Sequence, residues 1–274
     1  MTHESTRWTA SGAARALLLL LAGCASQPAP VASSWPPPDF RLVVEELHED
    51  AGRAAVRRRF TVTADGICVY ERATDTVVDP DTHAALPVFA TLSVYRLIDD
   101  NTRLLARKLY KRGILDLGEV QGDQRLTKGD SLRIEYTAFA RTKVVVASGQ
   151  IYGALPRILN VINAHMPPGE QLAMPGLVGD PDPVQLTRVP APVENLRGSL
   201  QAHADLVQSH PTDADLLLDT FALACKAGDR ATALAMLERW ERLPSAQVDG
   251  APFLDPPHVT PELLRRMLPP GTNP

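Results

Sequence analysis

Two short stretches of this sequence contain residues that could support nucleophilic catalysis. Ser131 lies in the run Gly129-Asp130-Ser131-Leu132, and His258 follows Asp255 after two prolines. A serine hydroxyl becomes a nucleophile when a histidine takes its proton and a carboxylate orients that histidine. Such a serine needs an exposed position at a sharp strand-to-helix turn. Here polar residues precede Ser131 and an alternating pattern follows it, which instead predicts a turn that opens a strand.

The run at residues 129–132 resembles the GDSL motif of an esterase family, and residues 255–258 are similar to the Asp-x-x-His of that family. The resemblance implies that Ser131 is the nucleophile and His258 the base of a serine hydrolase. The family's other sequence blocks, which supply the oxyanion donors, are not visible. We therefore keep a serine hydrolase as an alternative to a noncatalytic function.

Asp79, Asp81 and His83 alternate in one predicted loop and could offer oxygen and nitrogen ligands to a metal ion. No further ligand is spaced to complete the site, and Asp-Pro-Asp-Thr is ordinary turn sequence. His165, at the end of a predicted helix, is expected to interact with that helix's C-terminus. The sequence also lacks a Walker loop, a Cys-x-x-Cys pair and a His-Glu-x-x-His helix. We predict no metal, no cofactor and no catalytic residues.

Cys24 offers a different chemistry, because its thiol follows the apolar run Leu17 to Leu21 and the small residues Ala22 and Gly23. A polar start with arginines precedes the run, as in an export signal. The stretch Leu21-Ala22-Gly23-Cys24 resembles the lipobox of bacterial lipoproteins. In that family the cysteine sulfur receives a diacylglyceryl group, a signal peptidase cuts before the cysteine, and the new amine is acylated.

The resemblance implies a signal peptide over residues 1–23 and a lipid anchor on Cys24. The apolar run cannot span a bilayer as a helix, which needs about 20 residues. In Gram-negative members, a residue other than Asp after the cysteine, here Ala25, usually implies sorting to the outer membrane. We therefore predict a protein held at the outer membrane and facing the periplasm, with the inner membrane or the cell surface as alternatives.

Clusters of proline divide the rest of the chain, since proline-rich segments stay extended. The net charge of −4 argues against a nucleic-acid partner. Cys68 and Cys225 fall in different predicted domains, which predicts two buried free thiols. The predicted parts are a tether (24–39), an α+β domain (40–177), a linker (178–193), an α-helical module (194–246) and an irregular tail (247–274) with a short helix at 261–268.

The predicted α+β domain combines strands with two helices. The strand at 131–139 is the clearest, because Leu132, Ile134 and Tyr136 alternate with polar residues and predict a half-buried strand. Helices are expected at 102–112, capped by one of residues 99–101, and at 156–166. The order predicts an antiparallel sheet covered on one face by about two helices. Further strands are predicted at 41–48, 56–63, 67–73, 91–97 and 143–147, with a loop at 79–87.

The α-helical module contains a predicted helical hairpin that breaks at Gly228-Asp229. It resembles a single tetratricopeptide repeat, because Phe221, Gly228, Ala233 and Leu237 fall at family positions. The resemblance implies a groove for a peptide or a partner helix. Stacked repeats normally need about three units, so the hairpin is expected to lean on its neighbours.

Basic residues make the first predicted helix strongly positive, and Arg57, Arg58 and Arg59 add to this charge. The charge could dock on lipid headgroups, peptidoglycan carboxylates or an acidic partner. The alternative is a solvated face over buried Leu104, Leu105 and Leu109. The candidate partner surface comprises Arg103, Arg107, Lys108, Lys111 and Arg112.

Together, the anchor, the repeat-like hairpin and the lack of a convincing catalytic set favour a noncatalytic accessory or scaffold subunit of a cell-envelope assembly. Such a subunit would contact the membrane through its lipid and a protein partner through its fold. The alternatives are a hydrolase that uses Ser131 and His258, and a ligand-binding or envelope-sensing module.

Overall fold

The structure, a computed structural model, describes residues 35–50, 53–122, 130–167, 169–172, 195–244 and 259–270, which belong to one compact unit starting at Trp35. The strands are β1 (Arg41–Asp50), β2 (Arg53–Thr63), β3 (Ile67–Val78), β4 (Ala85–Arg96), β5 (Val120–Gly122), β6 (Asp130–Ala138) and β7 (Arg141–Ser148). The helices are α1 (Asp99–Lys111), α2 (Leu155–Asn163), α3 (Leu196–Ser209), α4 (Ala214–Ala227), α5 (Arg230–Glu241) and α6 (Pro261–Met267). The predicted α+β class is confirmed.

The strands form one sheet in the order β4-β3-β2-β1-β6-β7-β5. All neighbours are antiparallel except short β5, which runs parallel to β7. The β2–β3 turn contains Asp65-Gly66, and Gly66 has a φ of +80°, which glycine adopts without steric cost. Its N–H donates to the carbonyl oxygen of Thr63 at 2.9 Å. The predicted hairpin is therefore present.

One face of the sheet is apolar and packs against α1 and α2. Side chains along a strand alternate between faces, so every second residue of the central strands points to this core. The alternation predicted for Leu132, Ile134 and Tyr136 is confirmed, since all three are buried. Other buried members include Leu42 and Val44 of β1, Phe60 and Val62 of β2, Leu105 and Leu109 of α1, and Ile158 and Ile162 of α2.

The opposite face carries charged residues and is buried as well. Helix α3 contacts β4, and α4 contacts β3 and β4. Leu86 and Val88 of β4 share an apolar core with α3, α4, α5 and α6. The predicted number of about two packing helices is not confirmed. On the strand predicted as half-buried at 131–139, Arg133 of the polar face is also buried, whereas Glu135 and Thr137 are only partly buried.

Several local features differ from the sequence predictions. The loop expected at 79–87 is shorter, because β4 already begins at Ala85 and pairs there with Val78. Helix α1 begins at Asp99, so Asp99 and Asp100 occupy its first turn and Ile98 is the N-cap. Acidic residues in a first turn interact favourably with the helix dipole. Gly113, with a φ of +76°, follows the helix as predicted.

Two of the three cysteines lie within the described residues and are free thiols, as predicted; Cys68 is buried and Cys225 half-buried. No helix in the described part of the chain is long and apolar enough to cross a membrane. The predicted linker and Cys24 lie outside the described residues. Residues 35–39 of the predicted tether belong to the fold, where Asp39 accepts hydrogen bonds from the N–H groups of Phe139 and Ala140.

Candidate functional site

A group of buried charged side chains connects the polar face of the sheet to α3 and α4. Arg59 of β2 is the register partner of Glu71 of β3, and its Nε donates to Glu71 Oε2 at 2.9 Å. A terminal nitrogen of Arg59 donates to Oδ2 of Asp219 in α4. His203 of α3 reaches the same carboxylate as Arg59, namely Glu71. We call Arg59, Glu71, His203 and Asp219 the buried charge cluster.

The guanidinium of Arg59 also packs on an aromatic ring. Its central carbon lies 4.0 Å from the ring centroid of Phe89, a buried residue of β4. A guanidinium over a ring face is attracted by the ring quadrupole, and more strongly away from water. Arg59 is therefore held by two carboxylates and one ring, which come from β3, β4 and α4.

His203 is tied to the edge strand of the sheet through its other nitrogen. Its Nδ1 lies 2.9 Å from the carbonyl oxygen of Ser199, one turn earlier in α3, and 2.9 Å from Thr91 Oγ1 in β4. The N–H of Thr91 donates to Ser199 Oγ at 3.1 Å. Thr91, Ser199 and His203 are all buried, so these contacts anchor α3 on β4.

The contacts of His203 indicate that its ring carries two protons. A carbonyl oxygen only accepts, so Nδ1 must donate to Ser199. The other nitrogen, Nε2, lies 2.7 Å from Glu71 Oε1, although the angles are not those of a hydrogen bond. A neutral ring would place a lone pair against the carboxylate, whereas an imidazolium forms an ion pair. The charges of His203 and Arg59 can thus balance those of Glu71 and Asp219 when both carboxylates are ionised.

The pKa shifts of His203 and Glu71 favour their charged forms, whereas that of Asp219 favours its protonated form. Burial alone would lower the pKa of His203, but the neighbouring Glu71 carboxylate raises it above its ordinary value. Burial would raise the pKa of Glu71, but Arg59 and His203 outweigh burial and lower it. Burial raises the pKa of Asp219, and the charge of Arg59 offsets only part of that rise.

A second set of ion pairs lies next to the cluster. Arg41 of β1 contacts Glu135 of β6 at 3.2 Å, Asp215 at 3.0 Å and Asp213 at 3.4 Å. Burial opposes the charge of Arg41, but these carboxylates raise its pKa. Arg41 and three members of the cluster, Arg59, Glu71 and Asp219, line a cavity of about 40 Å³. A water molecule takes up about 30 Å³ of liquid, and pockets for organic ligands measure about 300–1,000 Å³, so this cavity suits water.

Three members of the cluster have the atoms to hold a metal ion. One ligand atom each of Glu71, His203 and Asp219 lies within 4.8 Å of the other two. Both carboxylates, however, already accept from the guanidinium of Arg59. A divalent ion would have to share them with that cation in a buried place, at a large electrostatic cost. The geometry therefore favours ion pairing over metal binding.

The predicted partner surface lies on one exposed face of α1. Arg103, Arg107, Lys108, Lys111 and Arg112 are all exposed. Leu105 and Leu109 are buried below them, as predicted, but the expected burial of Leu104 is wrong, because it is 40% exposed. It lies among the cations as an apolar surface residue.

The three consecutive arginines of β2 do not share one positive surface. Arg58 forms a short ion pair with Glu46 at 2.5 Å and contacts Glu170 at 3.2 Å. Arg59 points to the opposite face and belongs to the buried charge cluster. The prediction that these residues add to an exposed positive patch is therefore wrong for Arg58 and Arg59.

In the loop considered as a metal site, Arg266 binds the carboxylate of Asp79. The carboxylate of Asp79 accepts from Nε of Arg266 at 3.1 Å and from its terminal nitrogen at 2.9 Å. It also accepts from Thr82 Oγ1 and from the N–H of Asp81 within the turn. These hydrogen bonds, with Arg266 first, hold the pKa of Asp79 well below its usual range. Asp79 thus shapes the turn and fastens α6, and it is not free to bind a metal together with Asp81 and His83.

The residues singled out for nucleophilic chemistry are not placed as that chemistry requires. Ser131 lies inside β6, paired with Leu47 of β1 and Ser148 of β7, and not at a strand-to-helix turn. His258 and Asp255 lie outside the described residues. His165 donates from Nδ1 to the carbonyl oxygen of Val161 at 2.7 Å, as expected for the end of its helix. Burial lowers its pKa, so this contact involves a neutral ring.

The sequence contained signals for the cluster that the predictions did not use. Asp219 interrupts an apolar stretch of α4, and His203 shares the buried side of α3 with Val207. A charged or titratable residue within an apolar stripe needs a buried partner. Arg59 and Glu71 carried no such signal, because strand alternation assigns them to a face that usually meets water.

Comparison with protein-family profiles and with curated proteins found no match for this chain.

Proposed function

We propose that this protein is a lipid-anchored component of the bacterial cell envelope with a noncatalytic accessory or scaffold function. The lipobox-like run that ends at Cys24 supports the anchor. The observation that carries the noncatalytic part is the closure of the buried charge cluster, where Glu71 is 3% exposed and His203 is 0% exposed. A substrate needs access to reactive groups, and these groups contact one another instead.

The cluster has a structural explanation that does not involve turnover. Arg59, Glu71 and Thr91 belong to the sheet, whereas Ser199, His203 and Asp219 belong to the helical layer. Their contacts hold both layers in one register, since breaking one partner leaves an uncompensated buried charge. A rigid two-layer body suits a subunit that presents fixed surfaces to partners.

The repeat-like hairpin fits this proposal, although it packs against the sheet and α3 and not against further repeats. Helices α4 and α5 pack together, and α4 is also in contact with α3, β3 and β4. The sheet thus takes the place that neighbouring repeats occupy in a stacked array. Because α4 is covered by these elements, we expect partners to contact exposed faces elsewhere on the molecule.

The anchor is tested by intact mass spectrometry of the protein purified from its native membranes, with Cys24→Ala as the matched variant. We expect a chain that starts at Cys24 and carries acyl mass, and we expect both features to disappear in the variant. An unprocessed wild-type chain in the soluble fraction would remove the basis of the proposal.

The noncatalytic part needs a separate experiment. A fluorophosphonate probe labels activated serines, so we expect the wild-type protein and Ser131→Ala to remain equally unlabelled. Labelling of the wild type that is lost in Ser131→Ala would overturn the proposal in favour of a serine hydrolase. Deleting the helical layer is not a suitable test of partner binding, because it would expose the buried charges of the sheet.

A further inference from the structure

Helix α1 has an exposed face with five cations and an apolar residue. Arg103, Arg107 and Lys111 are spaced by four residues and form one row along the helix, while Leu104, Lys108 and Arg112 form the adjacent row. All are exposed. Among the described residues, these cations form one ion pair, a long one between Arg103 and Asp100 at 3.6 Å. We call these two rows the basic face of α1.

The point where the described chain begins is attached to this same helix. The ring of Trp35 packs edge-on against Tyr110 of α1, with centroids 5.5 Å apart, and against Phe139 at 5.2 Å. Tyr110 and Phe139 also contact each other at 5.5 Å. Aromatic pairs of this geometry add to the energy of burial. The chain therefore enters the fold beside Tyr110, in the last turn of α1.

A short segment separates this point from the proposed anchor. Ten residues, 25–34, lie between Cys24 and Trp35, and a chain of that length reaches at most about 35 Å. A lipid on Cys24 would therefore keep Trp35, and α1 with it, close to the bilayer. Electrostatic attraction fades over about 8 Å at physiological ionic strength, and the short tether lets α1 come within that range of the headgroups.

We propose that the basic face of α1 docks on the anionic phospholipid headgroups of the membrane that holds Cys24. This inference rests on the proposed lipid anchor. Clustered Lys and Arg side chains are attracted to an anionic leaflet, and an exposed Leu104 among them can insert into the headgroup region as apolar residues of interfacial helices do. Docking would fix the orientation of the sheet relative to the membrane, which a tether alone leaves free.

The test uses the full chain with Cys24→Ala, so that no acyl group contributes to binding. Its co-sedimentation is measured with vesicles of phosphatidylcholine alone and with vesicles that contain about one-third phosphatidylglycerol. The test variant carries Arg107→Glu, Lys108→Glu and Lys111→Glu. The control carries Arg72→Glu, Arg197→Glu and Arg242→Glu, which are exposed residues elsewhere and give the same net charge.

We expect the parent and the control to bind the anionic vesicles at least about tenfold more tightly than the α1 variant, and this difference to shrink at high salt. Equal binding by the α1 variant and the control, or equal binding to neutral vesicles, would overturn the proposal. The proposal would also be overturned if the α1 variant bound vesicles as tightly as the control but lost a protein from native-membrane pull-downs. That result would indicate an acidic protein partner. Thermal unfolding of all variants checks that the fold is kept.

This result is independent of the anchor experiment. If the mass spectrum shows no acyl group but the vesicles still distinguish the α1 variant, the anchor fails and the lipid-binding surface stands. If Cys24 is acylated but the vesicles do not distinguish the variants, the anchor stands and docking through α1 is excluded.

Discussion

Arg59 of β2 and Asp219 of α4 form a buried ion pair between residues 160 positions apart in the sequence. The same guanidinium donates to Glu71 of β3. One arginine therefore pairs with two buried carboxylates, one on the sheet and one on the helical layer. Arg59 therefore joins the sheet to the helical layer, and substitutions of Arg59 or its partners should change the free energy of unfolding.

Replacing Arg59 with methionine should be among the most destabilising single changes in the chain. The substitution keeps an apolar side chain of similar length but leaves Glu71 and Asp219 without their cation. Breaking a buried pair in this way costs about 3–5 kcal/mol of unfolding free energy. Urea denaturation of the wild type and of Arg59→Met measures the difference.

Two further variants show whether the loss of stability comes from the unpaired buried carboxylates. Arg141→Met changes an exposed strand arginine and should stay within about 0.5 kcal/mol of the wild type. The triple variant Arg59→Met, Glu71→Gln, Asp219→Asn removes the uncompensated charges and should recover part of the loss. An Arg59→Met protein as stable as Arg141→Met would contradict a structural role for the cluster.

The charge state of His203 predicts how stability depends on pH. Because the folded state raises the pKa of His203, its contribution is fully present below the ordinary value near 6.5 and is lost as pH rises through the folded value. The raised pKa of Asp219, about 7, also lowers stability as pH rises, but from its ordinary value near 3.9 up to about 7. We therefore expect the melting temperature to fall as pH rises above about 6.5, until His203 is deprotonated in the folded state.

His203→Gln isolates the histidine part of this effect. Glutamine keeps a hydrogen-bonding side chain but cannot be charged, so the variant should be less stable at pH 6 and should show a flatter decline toward pH 9. Changes of about 2–4 °C per kcal/mol are expected for a chain of this size. A wild type and variant with parallel melting curves across this range would show that His203 does not titrate with folding.

The ion pair between Asp79 and Arg266 should control how firmly α6 is attached. We expect Arg266→Gln to lower the melting temperature by about 2–4 °C and to speed hydrogen exchange within α6. Arg265→Gln is the control on the same helix, since Arg265 is more exposed and pairs with Glu241 at the surface. Because the pKa of Asp79 is lowered, the difference should be present above its ordinary pKa, near 3.9, and disappear on acidification.

Local sequence patterns were sufficient for most strands and helices, but not for the buried charge cluster. Alternation identified the apolar side of β6 through Leu132, Ile134 and Tyr136, since a period of two is a local property. The same rule assigned Arg133 to solvent, because antiparallel sheets often face water on one side. Whether a second layer covers that side depends on residues far along the chain.

The pairing of Arg59 with Asp219 could not be derived for the same reason. A lone Asp in an apolar helix signals a buried partner, but any of the chain's 28 Lys and Arg residues could supply it. The loop with Asp79 is a second example, because the metal site considered there could be judged only from residue types. Its residue types suit a metal, and only the fold shows that Arg266, 187 residues later, occupies the carboxylate.

Gly66 offers a last prediction, in which crowding can be separated from backbone strain. A Cβ at Gly66 would lie 2.6 Å from Thr102 Oγ1 and 2.9 Å from the Leu97 carbonyl oxygen, whereas a Cβ at Gly153 would meet nothing within 4 Å. Both glycines have positive φ, +80° and +68°. Gly153→Ala should therefore show only the cost of the left-handed backbone, about 1 kcal/mol.

We expect Gly66→Ala to cost at least about 1 kcal/mol more than Gly153→Ala, because the Leu97 carbonyl belongs to the backbone and cannot turn away. The excess should shrink but not vanish in a Thr102→Ala background, which removes one of the two close atoms. Equal losses for both glycine variants would mean that the turn between β2 and β3 can move away from Leu97. Urea denaturation measures the free energy of unfolding of Gly66→Ala, Gly153→Ala, Thr102→Ala and the double variant Gly66→Ala, Thr102→Ala. The differences between these values decide between the outcomes.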